Sequence, residues 1–348
     1  MNKIQVYILV IFSLLLSVLF PYVLPERFFL DAGLIVQDPG NEKGWVGSYP
    51  LSMMFYAITR LGQLPYSLVA LIQLPILYLC FRLIGIPDKF QLFTIKNILV
   101  YLSFIMIAVF IGQPSKEFFT FLFMGFVVLI FQRKELSIGM CLLISFCLLF
   151  FFGAVFRPYF AFIPIISAAI FLITRIKFTN RWILGIVTGI AVIVLLSFSY
   201  SLVKGSFFSA MSREALNKER LYQDDADTMI VSPIPPTNIF GEAFATVYGF
   251  ISVNLPINGL KFYYKPQVVA FVIWQLLLML IIFVRFGYLL RDYQYRKKEF
   301  WLMLYLLSYL VIQAIFEPDL GSAVRHKIGV FPLFYFLLYY DSFRKKVS

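Results

Sequence analysis

Ten apolar runs dominate this chain, at about 4–24, 64–83, 93–112, 118–132, 136–156, 159–175, 182–203, 267–290, 300–316 and 328–340, of which 118–132 and 328–340 are short. Runs of this kind match the hydrocarbon thickness of a bilayer crossed by an α-helix. Lipid offers the backbone no hydrogen-bond partners, so a spanning segment must satisfy its own and therefore coils into a helix. The pattern predicts an all-α fold: a polytopic integral membrane helical bundle of about ten transmembrane helices, with re-entrant or interfacial segments. The first run carries Lys3 but no small-residue cleavage site, so it predicts an uncleaved first span rather than a removed signal peptide.

Composition closes the alternatives. Hydrophobic residues make up 61% and charged residues 14%, too little charge to wet a soluble enzyme and far too apolar for a disordered chain. The 19% aromatic share suits packing against lipid and at its interface. A net charge of +12 would suggest nucleic acid for a soluble protein, but on a polytopic chain it records orientation, and no nucleic-acid partner is expected.

With the N-terminus inside, the inside segments hold 17 bases, including Lys3, Arg82, Lys134, Lys177, Arg291 and Lys346, against five acids. The outside segments hold 13 bases and 13 acids, so the whole excess lies on one side. This places both termini in the cytoplasm and the protein in the cytoplasmic (inner) membrane as a multi-pass chain.

The chain reads as a single membrane domain, 1–348, with two long outside loops. Loop 25–63 is polar at first and then apolar from Tyr49 to Ile58, too short to span and suited to an interfacial or re-entrant helix. Loop 204–266 runs from a mixed-charge, weakly helical part (Phe207 to Leu221) through the acidic Asp224-Asp225-Ala226-Asp227 to Pro233, Pro235 and Pro236. The apolar 239–256 that follows reads as interfacial or re-entrant, because an eleventh span would reverse the C-terminal charge pattern. No internal repeat stands out, which disfavours repeat-built transporters.

Charge next to lipid marks function, because a charged group at mid-bilayer costs about 2.5–3.5 kcal/mol by insertion scales. Four outside clusters qualify. In Gly112-Gln113-Pro114-Ser115-Lys116-Glu117, Ser115 can cap the next helix and Lys116 joins its N-terminus to form an anion site; a capped turn with a snorkelling lysine is the plainer reading. In Phe156-Arg157-Pro158-Tyr159, Arg157 is the only charge between 136 and 174 and could fork onto phosphate, or snorkel beside the belt residue Tyr159. In Glu317-Pro318-Asp319-Leu320-Gly321-Ser322-Ala323-Val324-Arg325-His326-Lys327, Pro318 and Gly321 predict a turn and Arg325 to Lys327 the start of the last helix. That cluster joins carboxylates, guanidinium and the sole histidine, the groups that deprotonate a hydroxyl and hold a departing phosphate. The fourth is Asp31, near Glu26 and Arg27, a candidate base or ligand or simply a solvated loop residue. Cys80, Cys141 and Cys147 lie in apolar runs without a CxxC, and one histidine makes no multi-His site, so neither a disulfide, a metal nor a cofactor is expected.

The layout and the Pro-Ser-Lys-Glu turn at 114–117, Arg-Pro-Tyr at 157–159 and Glu-Pro-Asp…Arg-His at 317–326 resemble the Wzy-type bacterial polysaccharide (O-antigen or capsule) polymerases, and more broadly GT-C glycosyltransferases. The resemblance implies a membrane glycosyltransferase that polymerises undecaprenyl-diphosphate-linked oligosaccharide repeats at the outer face of the cytoplasmic membrane, in surface polysaccharide biosynthesis. Its partners would be the lipid-linked oligosaccharide, the bilayer and a chain-length regulator. On this reading Arg157, Arg325 and Lys116 hold the diphosphate, and Glu317, Asp319 or His326 takes the acceptor proton; Asp31, Glu117 and Tyr159 are further candidates. The rivals are a GT-C enzyme adding single sugars from a polyprenyl-phosphate donor, a flippase or other transporter, and a non-catalytic scaffold.

Overall fold

The structure, a computed structural model, describes residues 2–176, 180–220 and 228–345. The acidic run 224–227 and the bases Lys177 and Lys346 lie outside the described residues. Among the described residues every extended element is helical, with one isolated antiparallel bridge between Met229 and Asp319. Among the described residues, six helices are long and apolar enough to cross a membrane, covering Ile4–Val23, Tyr66–Ile84, Ile138–Val155, Arg181–Lys204, Pro266–Asp292 and Lys297–Phe316. The expected runs 93–112 and 159–175 are shorter apolar helices, 118–132 lies within a helix, and 328–340 is broken at Val330 between two helices.

Read from sequence as one domain, the chain groups into two compact units: Met1–Pro158 with Arg325–Ser348, and Tyr159–Val324. The first contains α1 (Asn2–Val23), α2 (Leu30–Gln37), α3 (Ser48–Ile58), α4 (Tyr66–Ile84), α5 (Ile95–Ile111), α6 (Lys116–Gln132) and α7 (Ile138–Val155). Here α1 packs on α4 and α5, and α6 packs on α4. The apolar stretch Tyr49 to Ile58 forms α3 as expected, packed on α2 and on α6. Phe81 centres the core, its ring 4.7–6.0 Å from those of Phe104, Phe121, Phe331 and Tyr335. Such offset and edge contacts add stability beyond the area they bury. Gly125 admits α4 to α6: a Cβ there would lie 2.2 Å from Cys80 Sγ.

The second unit holds α8 (Phe162–Thr174), α9 (Arg181–Lys204), a π-turn at Ala210–Glu214, α10 (Ala215–Arg220), α11 (Ile239–Asn254), α12 (Pro266–Asp292) and α13 (Lys297–Phe316). Every residue of α13 from Phe300 to Ile315 is buried, as expected of a helix apolar all round. It packs on α8, α9, α11 and α12. Gly249 brings α11 against it, where a Cβ would meet the Ala314 carbonyl oxygen at 2.0 Å. The mixed-charge part of the 204–266 loop is helical through the π-turn and α10.

Two further helices close the chain: α14 (Leu320–Gly329) and α15 (Phe331–Lys345), the latter packed on α6 and α4. The expected turn at Gly321 is displaced. Asp319 Oδ1 accepts from the Ser322 backbone N–H at 2.7 Å, a cap that starts α14 at Leu320. Gly321 therefore sits in its first turn, and Arg325 to Lys327 belong to α14 rather than opening the last helix.

Candidate functional site

The first unit gathers six charged or titratable side chains from four separate stretches of chain. Ser115 caps α6 by accepting from the Glu117 N–H at 3.1 Å, and its hydroxyl donates to Glu117 Oε2 at 2.8 Å. The turn is held from below by Tyr56, whose hydroxyl accepts from the Ser115 N–H at 3.0 Å and shares a hydrogen bond with the Gln73 amide. Capping and anchoring fix the direction of the two side chains that follow, Lys116 and Glu117.

Glu117 is the hub. Its Oε1 lies 2.6 Å from Arg157 Nη2 and 3.3 Å from His326 Nε2. Its side chain is 1% exposed and that of Arg157 is 4%, so the pair is sealed from solvent. Arg157 follows the end of α7, where Phe156 N–H and Arg157 N–H both return to the Phe152 carbonyl and aim the guanidinium inward. The snorkelling reading of Arg157 and Lys116 does not hold: both are buried in protein.

Asp31 is the second acceptor. It stands in the first turn of α2, its Oδ2 2.8 Å from Arg325 Nη1 and 3.3 Å from Lys116 Nζ. Tyr49 donates its hydroxyl to Asp31 Oδ1 at 3.0 Å, and the Lys116 ammonium sits 3.6 Å from the centre of the Tyr49 ring. A cation over an aromatic face gains electrostatic attraction, more so when desolvated. Asp31, Arg325 and His326 are the open side of the cluster, about a fifth exposed each, whereas Glu117, Arg157 and Lys116 form its floor.

Lys116, Arg157 and Arg325 stand against the carboxylates of Asp31 and Glu117, with His326 beside them. Asp31, Lys116 and Glu117 all precede Phe118, where the apolar run of α6 begins. Burial alone would raise the Asp31 carboxyl, but Arg325 and Lys116 outweigh it and hold it below the ordinary carboxylate value. Burial likewise opposes ionisation of Glu117, yet Arg157, His326 and Arg325 hold it well below its ordinary value. Lys116 goes the other way: burial lowers its ammonium to about 8, against the pull of Asp31 and Glu117. The cluster thus holds both carboxyls below their ordinary values, with the His326 imidazole on its open side.

The other candidates belong to the second unit. Glu317, 3% exposed, accepts from Ser322 Oγ at 2.9 Å and from Gln313 Nε2 at 3.0 Å. Asp319 caps α14 and pairs with Arg220 through its other oxygen. The Tyr159 ring stacks on Phe316 at 5.3 Å. Each is thus engaged in structure within its own unit. That unit also carries a buried polar group the sequence reading passed over. Arg213 is fully buried and donates to the carbonyls of Ala245 and Ala314, and Glu242 accepts from Ser197 Oγ at 2.6 Å. Tyr49, Tyr56 and Gln73 were also missed in the first unit. The apolar character of their helices concealed their hydroxyl and amide roles, and no local pattern announces such a long-range hydrogen bond.

Among the described residues no group of three or more His, Cys, Asp or Glu side chains is arranged to hold a metal ion. No family model, curated protein or solved structure matches the chain. What fold and site define is an all-α protein, with helices able to cross a membrane, that holds an ion-paired and largely buried charge cluster.

Proposed function

We propose that the cluster binds the diphosphate of a lipid-linked oligosaccharide and that the protein is a polysaccharide polymerase of the inner membrane, spanning it about ten times with both termini in the cytoplasm. One observation carries this reading. Asp31, Lys116, Glu117, Arg157, Arg325 and His326, up to 295 positions apart, converge into one ion-paired group. Cations held in place by carboxylates are preorganised for an anion, and preorganised charge aimed at where charge develops is usually the largest single term in catalysis.

The residues divide the work. Arg325, Lys116 and Arg157 stabilise the charge that develops on the departing diphosphate. His326 donates Nε2–H to Glu117, which leaves Nδ1 as the basic nitrogen. The acceptor hydroxyl oxygen then bonds to the anomeric carbon, the bond from that carbon to the diphosphate oxygen breaks, and the hydroxyl proton passes to His326 Nδ1. The lipid diphosphate leaves with the electron pair. A general base so placed contributes about 10²–10⁴-fold. Glu317 and Asp319 take no part in this scheme, because capping and pairing occupy them.

A second reading follows from the openness of Asp31, the most accessible carboxylate of the cluster: a single-sugar transferase using Asp31 as base. Deleting the gene and sizing the lipid-linked intermediates separates the two. Accumulated complete repeat units support polymerase action, whereas shortened units would overturn it in favour of single-sugar transfer. Complete units trapped inside would indicate transport.

A further inference from the structure

The loop between α2 and α3 leaves Trp45 66% exposed, beside Val46 at 69%, while the other three tryptophans lie at 38%, 8% and 0%. This loop is built to be stiff. Asp38 and Asn41 both take left-handed backbone conformations. Asp38 Oδ1 accepts from the Glu42 N–H at 2.7 Å and Asp38 O from the Asn41 N–H at 3.0 Å, the side-chain-to-backbone turn that Asp favours. Further on, Gly44 N–H donates to Pro50 O, and Gly47 N–H donates to Val155 O at 2.7 Å. Gly47 has φ of +104°, open to glycine and strained for other residues.

These bonds tether the loop to the charge cluster at both sides. Val155 lies two residues before Arg157, and Tyr49, four residues after Trp45, touches Asp31 and Lys116. Four residues span at most about 14 Å, so the indole stands within an oligosaccharide's reach of the ion-paired groups. Its neighbours along the chain, Asn41, Glu42 and Lys43, are exposed and polar. An aromatic face flanked by amide, carboxylate and ammonium groups suits a pyranose ring, whose C–H face packs on the indole while its hydroxyls find polar partners. A Trp side chain has only two rotatable angles, so little freedom is lost when it docks a ligand.

We propose that Trp45 is a stacking platform for a sugar ring of the glycan, a saccharide subsite outside the diphosphate-binding cluster. This rests on the polymerase reading for its choice of substrate but is tested by binding alone. The full-length protein in nanodiscs is titrated with oligosaccharide released by mild acid from the polyprenyl-linked fraction of the host cell. Trp45→Ala raises the Kd about tenfold, equivalent to about 1.4 kcal/mol, and Trp45→Phe recovers most of the loss. A second titration uses nanodiscs of brominated phosphatidylcholine. Quenching by brominated chains that is lost in Trp45→Ala would show a lipid anchor and overturn the proposal, as would an unchanged saccharide Kd. If the saccharide binds through Trp45 but no polymer forms, the subsite stands and the polymerase reading falls. If polymer forms equally well with Trp45→Ala and saccharide affinity is unchanged, the reverse holds.

Discussion

Replacing Glu117 by Gln keeps the shape of the hub but leaves the Arg157 guanidinium buried without its counter-charge. Both side chains are almost fully sealed, 1% and 4% exposed at 2.6 Å separation. Breaking a buried pair from one side costs about 3–5 kcal/mol, because the remaining charge stays desolvated. For a unit of this size each kcal/mol moves the melting midpoint by about 2–4 °C, so the expected fall is about 6–20 °C. The same logic predicts a comparable loss for Arg157→Leu. The double variant removes both charges and should cost less than the two single losses together, by about 0.5–3 kcal/mol. The assay is the thermal midpoint of the purified protein at fixed detergent and heating rate, read for wild type, both single variants and the double. Single variants within about 1 kcal/mol of wild type, the range of exposed ion pairs, would refute the reasoning. So would strictly additive losses, since the two groups would then act independently.

Other outcomes follow from the same geometry. Arg325→Ala should weaken binding of the lipid-linked substrate about tenfold to a hundredfold, the worth of a charge-assisted hydrogen bond of about 1.5–3 kcal/mol, read as KM or Kd. The Lys116 ammonium titrates near 8, and the cation is the binding form, so affinity for the anion is full below that pH and falls as pH rises through it; Lys116→Arg should flatten this limb of the Kd–pH profile. Tyr56→Phe removes the acceptor of the buried Ser115 N–H and should cost about 1–3 kcal/mol in thermal stability. Gly249→Ala drives a methyl into the Ala314 carbonyl and the Arg213 guanidinium and should destabilise the second unit by about 1–3 kcal/mol, visible as a lowered midpoint.

Legibility differed between fold and site. Each of the ten apolar runs is largely helical, though 328–340 breaks at Val330, and the short stretch from Tyr49 to Ile58 also forms a helix. The start of α14 was misplaced because Gly321 looks like a turn residue, while the deciding contact, Asp319 to the Ser322 N–H, depends on a side-chain orientation. At the site, Lys116, Arg157, Arg325, His326, Glu117 and Asp31 were recognisable one by one, since each is a charge at the edge of an apolar run. Their pairing was not. Nothing local shows that Glu117 serves Arg157 and His326 while Asp31 serves Lys116 and Arg325. Nor does anything local show that Glu317 and Asp319, close in sequence to Arg325, are spent on Gln313, Ser322 and Arg220.

The amino-acid sequence by itself determined that this protein is helical and apolar enough to enter a membrane. Helices satisfy their hydrogen bonds within a few residues, and hydrophobicity is summed along the chain, so both are local properties. Tertiary structure alone decided which charges are buried, which carboxylate each cation faces and which groups remain open to a ligand. Those depend on contacts between segments as far apart as Asp31 and Arg325, and on the desolvation that only packing imposes.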